Sequence, residues 1–186
     1  EITFIEDGQD FCKIIAGPDA SVQLWEAVDE LRSHLYKMTG VFLMSRPADY
    51  KVRDCEIVVG AAAAKQRCGL DISKEDLGEQ GYIIRTIGQR LIIAGETDLG
   101  TLYGVYGFLE DHLGVRWFTP EFTKIPRRSA VKIGHIDEKI VPVFESRMLS
   151  WANSRRSIRW SSRMRVNCFV HNYGIHINEF RTATIL

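Results

Sequence analysis

The sequence predicts an α+β fold, in which a mixed β-sheet carries two long helices packed on one face and is followed by an incomplete β-α-β start of a β/α barrel. Two helical stripes of apolar residues are interspersed with short apolar runs of strand length. Two hairpin signals break the strict strand and helix alternation of a doubly wound parallel fold. The composition, 45% hydrophobic and 26% charged in a chain of 186 residues, is that of an ordinary folded protein.

The chain opens with a predicted β-hairpin. Residues 2–5 and 11–16 are short runs rich in Ile and Phe. Asp7-Gly8 lies between them and is a tight-turn signal. We therefore expect these two runs to pair with each other.

The first long helix is predicted between residues 18 and 40. Its apolar residues recur at spacings of three and four, which is typical of an amphipathic helix. Asp19 or Ser21 can cap the start, and Gly40 suits the end. The stripe consists of Leu24, Val28, Leu31, Leu35 and Met38.

The middle of the chain predicts a strand, a brief helix and a second hairpin. Residues 56–60 form an apolar run that ends in Gly, and residues 61–67 follow as the helix. Residues 82–87 and 90–94, joined by Gly88-Gln89, give the clearest hairpin signal in the sequence.

The second long helix is predicted to start at Thr97, which can cap it, and to end at Gly114. Residues 115–118 and 130–133 read as further strands. The helical stripe consists of Leu99, Leu102, Tyr106, Leu109 and Leu113.

A change in charge divides the chain. Residues 144–186 contain seven Arg, two Glu and no Lys, a net charge of +5 in a chain whose total is zero. We predict a linker over residues 136–143, because the stretch 134–142 is polar, carries Pro142 and precedes this change. Beyond it, residues 144–149, 154–166 and 168–172 predict a strand, a helix and a second strand. A β/α barrel takes about 250 residues, so this β-α-β unit is interpreted as the truncated start of one.

Three glycines on the second long helix call for an explanation. Gly100, Gly104 and Gly107 each cost roughly 1 kcal/mol relative to Ala inside a helix. A phosphate-binding site would have its glycines in the strand-to-helix turn, and the G-x-G-x-x-G spacing of such a site is absent here. We favour close approach of the helix backbone to a sheet or a second helix.

The acidic residues and cysteines do not form a strong motif for a catalytic or metal site. Glu96 and Asp98 lie where a strand meets the second long helix, a position suited to acid-base chemistry or cation binding, but stabilisation of the helix N-terminus is the favoured interpretation. The four cysteines, Cys12, Cys55, Cys68 and Cys168, lack C-x-x-C spacing, so we expect buried free thiols rather than a zinc site or disulfides. We predict no catalytic residue, no metal and no cofactor.

Two polar clusters follow residue 150. One cluster has the composition of a nucleic-acid-binding face and consists of Arg155, Arg156, Arg159, Arg163 and Trp160. A solvated or domain-contacting helix face is favoured because the total charge of the chain is zero. The other cluster follows the second barrel-like strand and consists of His171, Asn172, His176 and Glu179. Functional residues of β/α barrels lie at the ends of the strands. The spacing of this second cluster is not H-E-x-x-H, so polar contact to a substrate or simple loop polarity is preferred to zinc binding.

Residues 95–110, GETDLGTLYGVYGFLE, followed by LGVRWF at 113–118, resemble the accessory domain that precedes the barrel in bacterial α-glucuronidases. A related domain precedes the barrel of β-N-acetylhexosaminidases. With residues 57–60 and 81–84, the likeness covers about residues 1–135. In the same families the barrel begins directly afterwards, and residues 144–149 and 164–172 look like its first strand, helix and second strand.

The resemblance implies that residues 1–135 are an accessory α+β domain similar to the second domain of hexosaminidases, with residues 144–186 as the barrel onset. It implies a non-catalytic part of a secreted or periplasmic bacterial glycoside hydrolase, because the catalytic carboxylates of these families lie on later strands. It also implies sugar binding near His171 and Asn172, with carbohydrate and the C-terminal barrel of the same polypeptide as partners. We expect no nucleic-acid partner, and no membrane partner because no run approaches the ~20 apolar residues of a membrane helix. The rival hypotheses are a stand-alone carbohydrate-binding or interaction module and a small nucleic-acid binder that uses the Arg-rich helix.

Overall fold

The structure is a computed structural model that describes residues 1–17, 20–51, 55–149, 158–171 and 174–177. It divides into two units. The first unit comprises residues 1–115 and 125–141, and the second comprises residues 116–124 and 142–186. None of the helices in the described ranges combines the length and apolar character of a membrane span.

The described residues contain four α-helices and fourteen strands. The helices are α1 (Val22–Thr39), α2 (Ala61–Cys68), α3 (Asp98–Gly107) and α4 (Ile158–Arg163), with a 3-10 turn at Ile72–Lys74 and a π-helical turn at Phe108–His112. The strands are β1 (Ile2–Glu6), β2 (Gln9–Asp10), β3 (Cys12–Ala16), β4 (Ser45–Pro47), β5 (Cys55–Val59), β6 (Tyr82–Ile87), β7 (Arg90–Ala94), β8 (Arg116–Trp117), β9 (Thr123–Lys124), β10 (Ala130–Ile133), β11 (Asp137–Ile140), β12 (Met148–Leu149), β13 (Cys168–His171) and β14 (Gly174–Ile177).

The first unit is built on a six-stranded mixed sheet in the order β11-β6-β7-β5-β3-β4. The strands β4, β3, β5 and β7 are parallel, whereas β6 is antiparallel to both β7 and β11. The predicted mixed α+β sheet is therefore confirmed. The predicted hairpin around Gly88 is also confirmed, since β6 and β7 have the predicted bounds.

The helix α1 forms where the apolar spacing predicts it. The hydroxyl of Ser21 accepts a hydrogen bond from the backbone N–H of Leu24 at 3.2 Å, and Gly40 ends the helix with a φ of 80°. All five stripe residues are buried. Of the two proposed caps, Ser21 is the one seen, and Asp19 lies outside the described residues.

The sheet is covered on both faces. The helix α1 contacts β3 and β5, α3 contacts β6 and β7, and the two helices contact each other, so both lie on one face as predicted. Ile93 of β7 packs toward α3, whereas Ile92 belongs to a buried cluster with Ala63 and Ala64 of α2. Because neighbouring strand residues point to opposite faces, α2 covers the other side.

The predicted pairing of residues 2–5 with 11–16 is wrong. The strand β1 pairs with β10 and with the two-residue strand β2, while β3 enters the six-stranded sheet between β4 and β5. Asp7-Gly8 does make the tight turn, with φ values of 48° and 78°. The turn depends on the two residues that form it, so it could be predicted from the sequence. Those two residues do not determine which strands the flanking runs pair with.

Two further expectations need correction. Residues 136–143, expected to be a linker, contain β11, which pairs with β6 through Asp137 and Arg85 among others. Cys12 and Cys55, expected to be free thiols, form a disulfide with Cα atoms 4.4 Å apart. They are register partners on the adjacent strands β3 and β5, which brings two residues 43 positions apart in the chain together. Cys68 is free.

The second unit has its own small sheets. The strands β12 and β13 are parallel and are separated in the chain by α4, while β14 returns antiparallel to β13. The strands β8 and β9 form a separate antiparallel pair. The predicted order of strand, helix and strand is present here, with a helix shorter than the predicted 154–166 among the described residues.

Candidate functional site

The glycines of α3 form a face that touches the sheet. A Cβ atom on Gly104 would lie 2.9 Å from Cγ2 of Ile93 and 3.2 Å from Cβ of Tyr82. A Cβ atom on Gly107 would lie 2.5 Å from the hydroxyl oxygen of Tyr82. These distances are below van der Waals contact, so the close-packing interpretation is confirmed.

The strand-to-helix turn before α3 is equally tight, and two of its backbone donors are bound inside the fold. A Cβ atom on Gly100 would lie 2.5 Å from the carbonyl oxygen of Gly81. The N–H of Gly95 donates to the hydroxyl of Thr101 at 3.0 Å, and the N–H of Gly100 donates to the hydroxyl of Thr97 at 3.0 Å. These donors are satisfied inside the fold, which disfavours phosphate binding at this turn.

The acidic residues at the same junction have structural contacts. The carboxylate of Glu96 accepts a hydrogen bond from the backbone N–H of Leu77 at 2.7 Å. The hydroxyl of Thr97 caps α3 and also donates to the carbonyl oxygen of Glu79. Asp98 lies in the first helical turn, where a negative charge is favourable. The arrangement ties the loop before β6 to α3.

A buried ion cluster at the start of β5 was missed at the sequence level. The side chain of Glu56 is 3% exposed and binds two arginines. The guanidinium of Arg67, on α2, donates to both carboxylate oxygens, from Nε at 3.0 Å and from Nη2. Arg90, on β7, donates from Nε at 2.9 Å. The available signal was a Glu placed inside the apolar run CEIVV.

The cluster keeps Glu56 ionised. Burial by itself raises the pKa of this carboxyl, but hydrogen bonds and the positive charges of Arg67 and Arg90 outweigh it and hold the pKa below its usual value of 4.5. Burial also raises the pKa of the Cys68 thiol next to it. At neutral pH the Cys68 thiol is therefore protonated and the Glu56 carboxylate is ionised and bound by two arginines, which indicates a structural role.

Arg67 extends the cluster to the surface. Its Nη1 donates to the backbone carbonyl oxygens of Ala48 at 3.3 Å and Tyr50 at 3.0 Å. The N–H of Tyr50 donates to the carbonyl oxygen of Pro47 at 3.0 Å. The loop that follows the edge strand β4 is thus fixed from below by a buried salt bridge.

In the second unit, a buried asparagine organises the start of the sheet. The side chain of Asn167 accepts a hydrogen bond from the N–H of Arg147 at 2.7 Å and donates to the carbonyl oxygen of Glu145 at 2.5 Å. Its own N–H donates to the carbonyl oxygen of Arg147 at 3.1 Å. These three bonds fix the chain before β12 next to the chain before β13.

The Arg-rich helix makes contacts within the second unit. The indole N–H of Trp160 donates to the carbonyl oxygen of Trp117 at 2.9 Å, and the guanidinium of Arg163 lies 5.9 Å from the centre of the Trp117 ring. Arg159 is exposed. Arg155 and Arg156 lie outside the described residues.

Of the predicted sugar-binding pair, the structure describes His171. It is the last residue of β13, and its Cα pairs with that of Gly174 on β14. His176 lies on β14 opposite Phe169, while Asn172 and Glu179 lie outside the described residues. The role of His171 and Asn172 stays a prediction. Within the residues that the structure describes, no three His, Cys, Asp or Glu side chains are grouped to hold a metal ion.

The fold is that of glycoside hydrolase domains. BtGH115A, a family GH115 4-O-methyl-α-glucuronidase with specificity for decorated arabinogalactans, superimposes with a TM-score of 0.67 at 16% identity, over 91% of this chain and 25% of that one. The GH20 β-N-acetylhexosaminidase of Streptomyces coelicolor A3(2) gives 0.53 at 16% identity, over 90% and 31%. The N-acetyl-β-hexosaminidase of Streptomyces plicatus gives 0.51 at 19% identity, also over 90% and 31%.

The sequence identifies the family more closely. Residues 8–108, just over half of the chain, match the model for the N-terminus of glycosyl hydrolase family 67. The chain therefore belongs to this family of N-terminal domains, and the resemblance to the accessory domain of α-glucuronidases is confirmed. A search of curated protein sequences gives no match. The chain spans about a quarter to a third of the length of the three solved structures described above.

Proposed function

We propose that this chain is the non-catalytic accessory domain, with the barrel onset, of a glycoside hydrolase that degrades polysaccharide or other glycans. The observation that carries the proposal is the match of residues 8–108 to the N-terminus of a glycosyl hydrolase family. The fold likeness to a glucuronidase and to hexosaminidases supports it.

The contacts of several carboxylates support a structural role. Glu56 is locked between two arginines, and Glu96 accepts from a backbone amide. Arg85 joins Glu75 at 2.8 Å to Asp137 at 2.6 Å. A carboxyl group that must give or take a proton in catalysis needs a pKa near the working pH, whereas the two arginines hold the pKa of Glu56 below its usual value.

The second unit supplies the proposed barrel onset. Its parallel strands β12 and β13, separated in the chain by α4, have the connectivity of one β/α step. We place sugar binding at His171 and Asn172 because functional residues of such barrels follow the carboxyl ends of the strands. A nucleic-acid function is not favoured, since Trp160 and Arg163 of the Arg-rich helix contact Trp117 instead.

The disulfide supports an oxidising location. Disulfides persist in secreted and periplasmic proteins and are rare in the reducing cytosol. The pairing of Cys12 with Cys55 therefore agrees with a secreted or periplasmic enzyme.

The proposal is tested by hydrolysis of aryl glycosides, including glucuronides and N-acetylhexosaminides. We expect no turnover by the purified 186-residue chain. We expect turnover by a polypeptide in which this chain is followed by its encoded barrel. Turnover by the 186-residue chain that a point mutation in it abolishes would overturn the proposal.

A second test addresses the proposed sugar contact. In the longer polypeptide, Asn172→Ala removes a donor and an acceptor for sugar hydroxyls, so kcat/KM should fall about tenfold or more, which corresponds to ~1.4 kcal/mol. Circular dichroism checks that the fold is intact. Unchanged kinetics in a well-folded variant would remove Asn172 from the site.

A further inference from the structure

The first unit carries exposed aromatic and Met side chains where α1 ends and the edge strand β4 begins. Tyr36, Phe42, Met44 and Tyr50 are each between 43% and 52% exposed. Together with Arg32 and Arg46 they are named here the arginine–aromatic surface. Leu43, between two of them, is fully buried and anchors the segment to the core.

The members of this surface form two contacting groups joined by a short stretch of chain. The rings of Tyr36 and Phe42 meet edge to face with centres 6.4 Å apart, and the guanidinium of Arg32 lies 4.9 Å from the centre of Phe42. The guanidinium of Arg46 lies 5.2 Å from the centre of the Tyr50 ring, and its Nη2 is 3.5 Å from the sulfur of Met44. Phe42 and Met44 are two residues apart in the chain, and each group contains one guanidinium group against an exposed ring.

The two arginines differ in their partners. Arg32 is paired with Asp29 at 2.5 Å. Arg46 has no carboxylate partner among the described residues, and its buried Nε has no hydrogen-bond acceptor. A guanidinium group whose charge no described carboxylate neutralises can pair with an anion, and carboxylate and sulfate oxygens match its planar geometry. Arg46 therefore has the charge and geometry to receive an anionic group.

The surface is held in place from beneath. Arg67 binds the carbonyl oxygens of Ala48 and Tyr50 and is itself clamped by Glu56, so the Tyr50 loop is attached to the buried ion cluster. A site that is fixed before binding loses less conformational entropy when it binds. Arg46 and the Tyr50 ring are therefore held in position before a ligand binds.

We propose that the arginine–aromatic surface binds an anionic oligosaccharide, with a carboxylate or sulfate on Arg46 and sugar rings against the exposed aromatic side chains. The negative face of an aromatic ring attracts the positively polarised C–H groups of a sugar ring. One guanidinium group without a described carboxylate partner, beside exposed rings, matches an oligosaccharide that carries an acidic group among its sugar rings. The proposal rests on the proposed function, since it assigns to the accessory domain the part that holds the glycan.

The test is isothermal titration of the purified 186-residue chain with three probes. They are an oligogalacturonate, which carries carboxylates, a heparin-derived oligosaccharide, which carries sulfates, and xylohexaose, which is neutral. We expect binding of at least one charged probe that weakens with added salt, and no measurable binding of xylohexaose. The charged probe that binds identifies the anion.

Matched variants locate the site. Arg46→Gln should weaken binding at least fivefold and Tyr50→Ala to a similar degree, while Arg46→Lys should keep part of the affinity because it keeps the charge and loses the fork. Lys139→Gln removes an exposed positive charge on β11, at the opposite edge of the six-stranded sheet from β4, and should leave binding unchanged. Thermal unfolding of each variant confirms that it is folded.

Three results would overturn the inference. They are no binding of either charged probe at millimolar concentration, equal weakening by Arg46→Gln and Lys139→Gln, and self-association of the chain that Arg46→Gln abolishes, which would make a second copy the occupant. Hydrolysis by the longer polypeptide alongside any of these results would leave the proposed function standing and reject this inference alone.

Discussion

The two faces of the six-stranded sheet are held by opposite means. On the face covered by α1 and α3, the absence of side chains at Gly104 and Gly107 lets α3 lie against Tyr82 and Ile93. On the face covered by α2, a buried carboxylate, Glu56, is clamped by two arginines. The first contact depends on shape and the second on ionisation, so the faces should respond differently to volume and to pH.

The largest effect is expected from removing the buried carboxylate. Glu56→Ala leaves Arg67 and Arg90 without their counter-charge and should lower the free energy of unfolding by about 3–5 kcal/mol. Urea unfolding measures the loss. Asp49→Ala removes an exposed carboxylate and should change stability by less than about 0.5 kcal/mol. Equal losses in the two variants would mean that charge does not hold the α2 face.

A somewhat smaller effect is expected from the disulfide between β3 and β5. Replacing Cys12 and Cys55 together by Ser should cost about 2–4 kcal/mol, since the bond closes a long loop in the unfolded chain. The urea midpoint of the oxidised protein and a mass spectrum of the linked peptides measure this. A reducing agent should lower the stability of the wild type and leave the double variant unchanged.

On the glycine face, Gly104→Leu should cost ~1–3 kcal/mol or more, because the side chain must displace Ile93 or Tyr82. Gly134→Leu is the matched control, since no atom lies within 4 Å of a Cβ placed there. Urea unfolding compares the two variants. A loss under about half a kcal/mol for Gly104→Leu would mean that α3 does not lie closely on the sheet.

The smallest effect is expected in the pH dependence of stability, which also compares the two faces most directly. Because the pKa of Glu56 is lowered in the folded state, its stabilisation is complete above about pH 4.5 and is lost as the pH falls through the folded pKa. The melting temperature of the wild type should therefore fall more steeply below pH 4.5 than that of Glu56→Gln. The deficit of Gly104→Leu should stay constant over the same range. Parallel curves for wild type and Glu56→Gln would contradict the charge-based account.

Elements with local signals could be predicted from the sequence. The spacing of Leu24 to Met38 and the cap at Ser21 define α1, and Gly88 marks the turn between β6 and β7. The glycine stripe on α3 correctly indicated close contact, because a repeated cost inside a helix needs a compensating gain. In each case the information lies within a few neighbouring residues.

Choices between distant partners could not be predicted in the same way. The apolar run at Cys12–Ala16 is equally suited to a hairpin or a central parallel strand, and its true neighbours come from residues 45–47 and 55–59. The disulfide and the Glu56 cluster depend on that choice, since Cys55 and Glu56 acquire their partners through the strand order. Sequence spacing alone carries no information about this order.

The position of β11 has a practical consequence. The resemblance to known accessory domains ends near residue 135, yet residues 137–140 form the edge strand beside β6. A fragment that stopped at residue 135 would leave the amide and carbonyl groups of residues 82–85 unpaired at an open sheet edge and would detach Arg85 from Asp137. Open edges recruit strands from other molecules, so such a fragment is prone to aggregate. Soluble expression and crystallisation of the first unit therefore require a chain that extends to about residue 141.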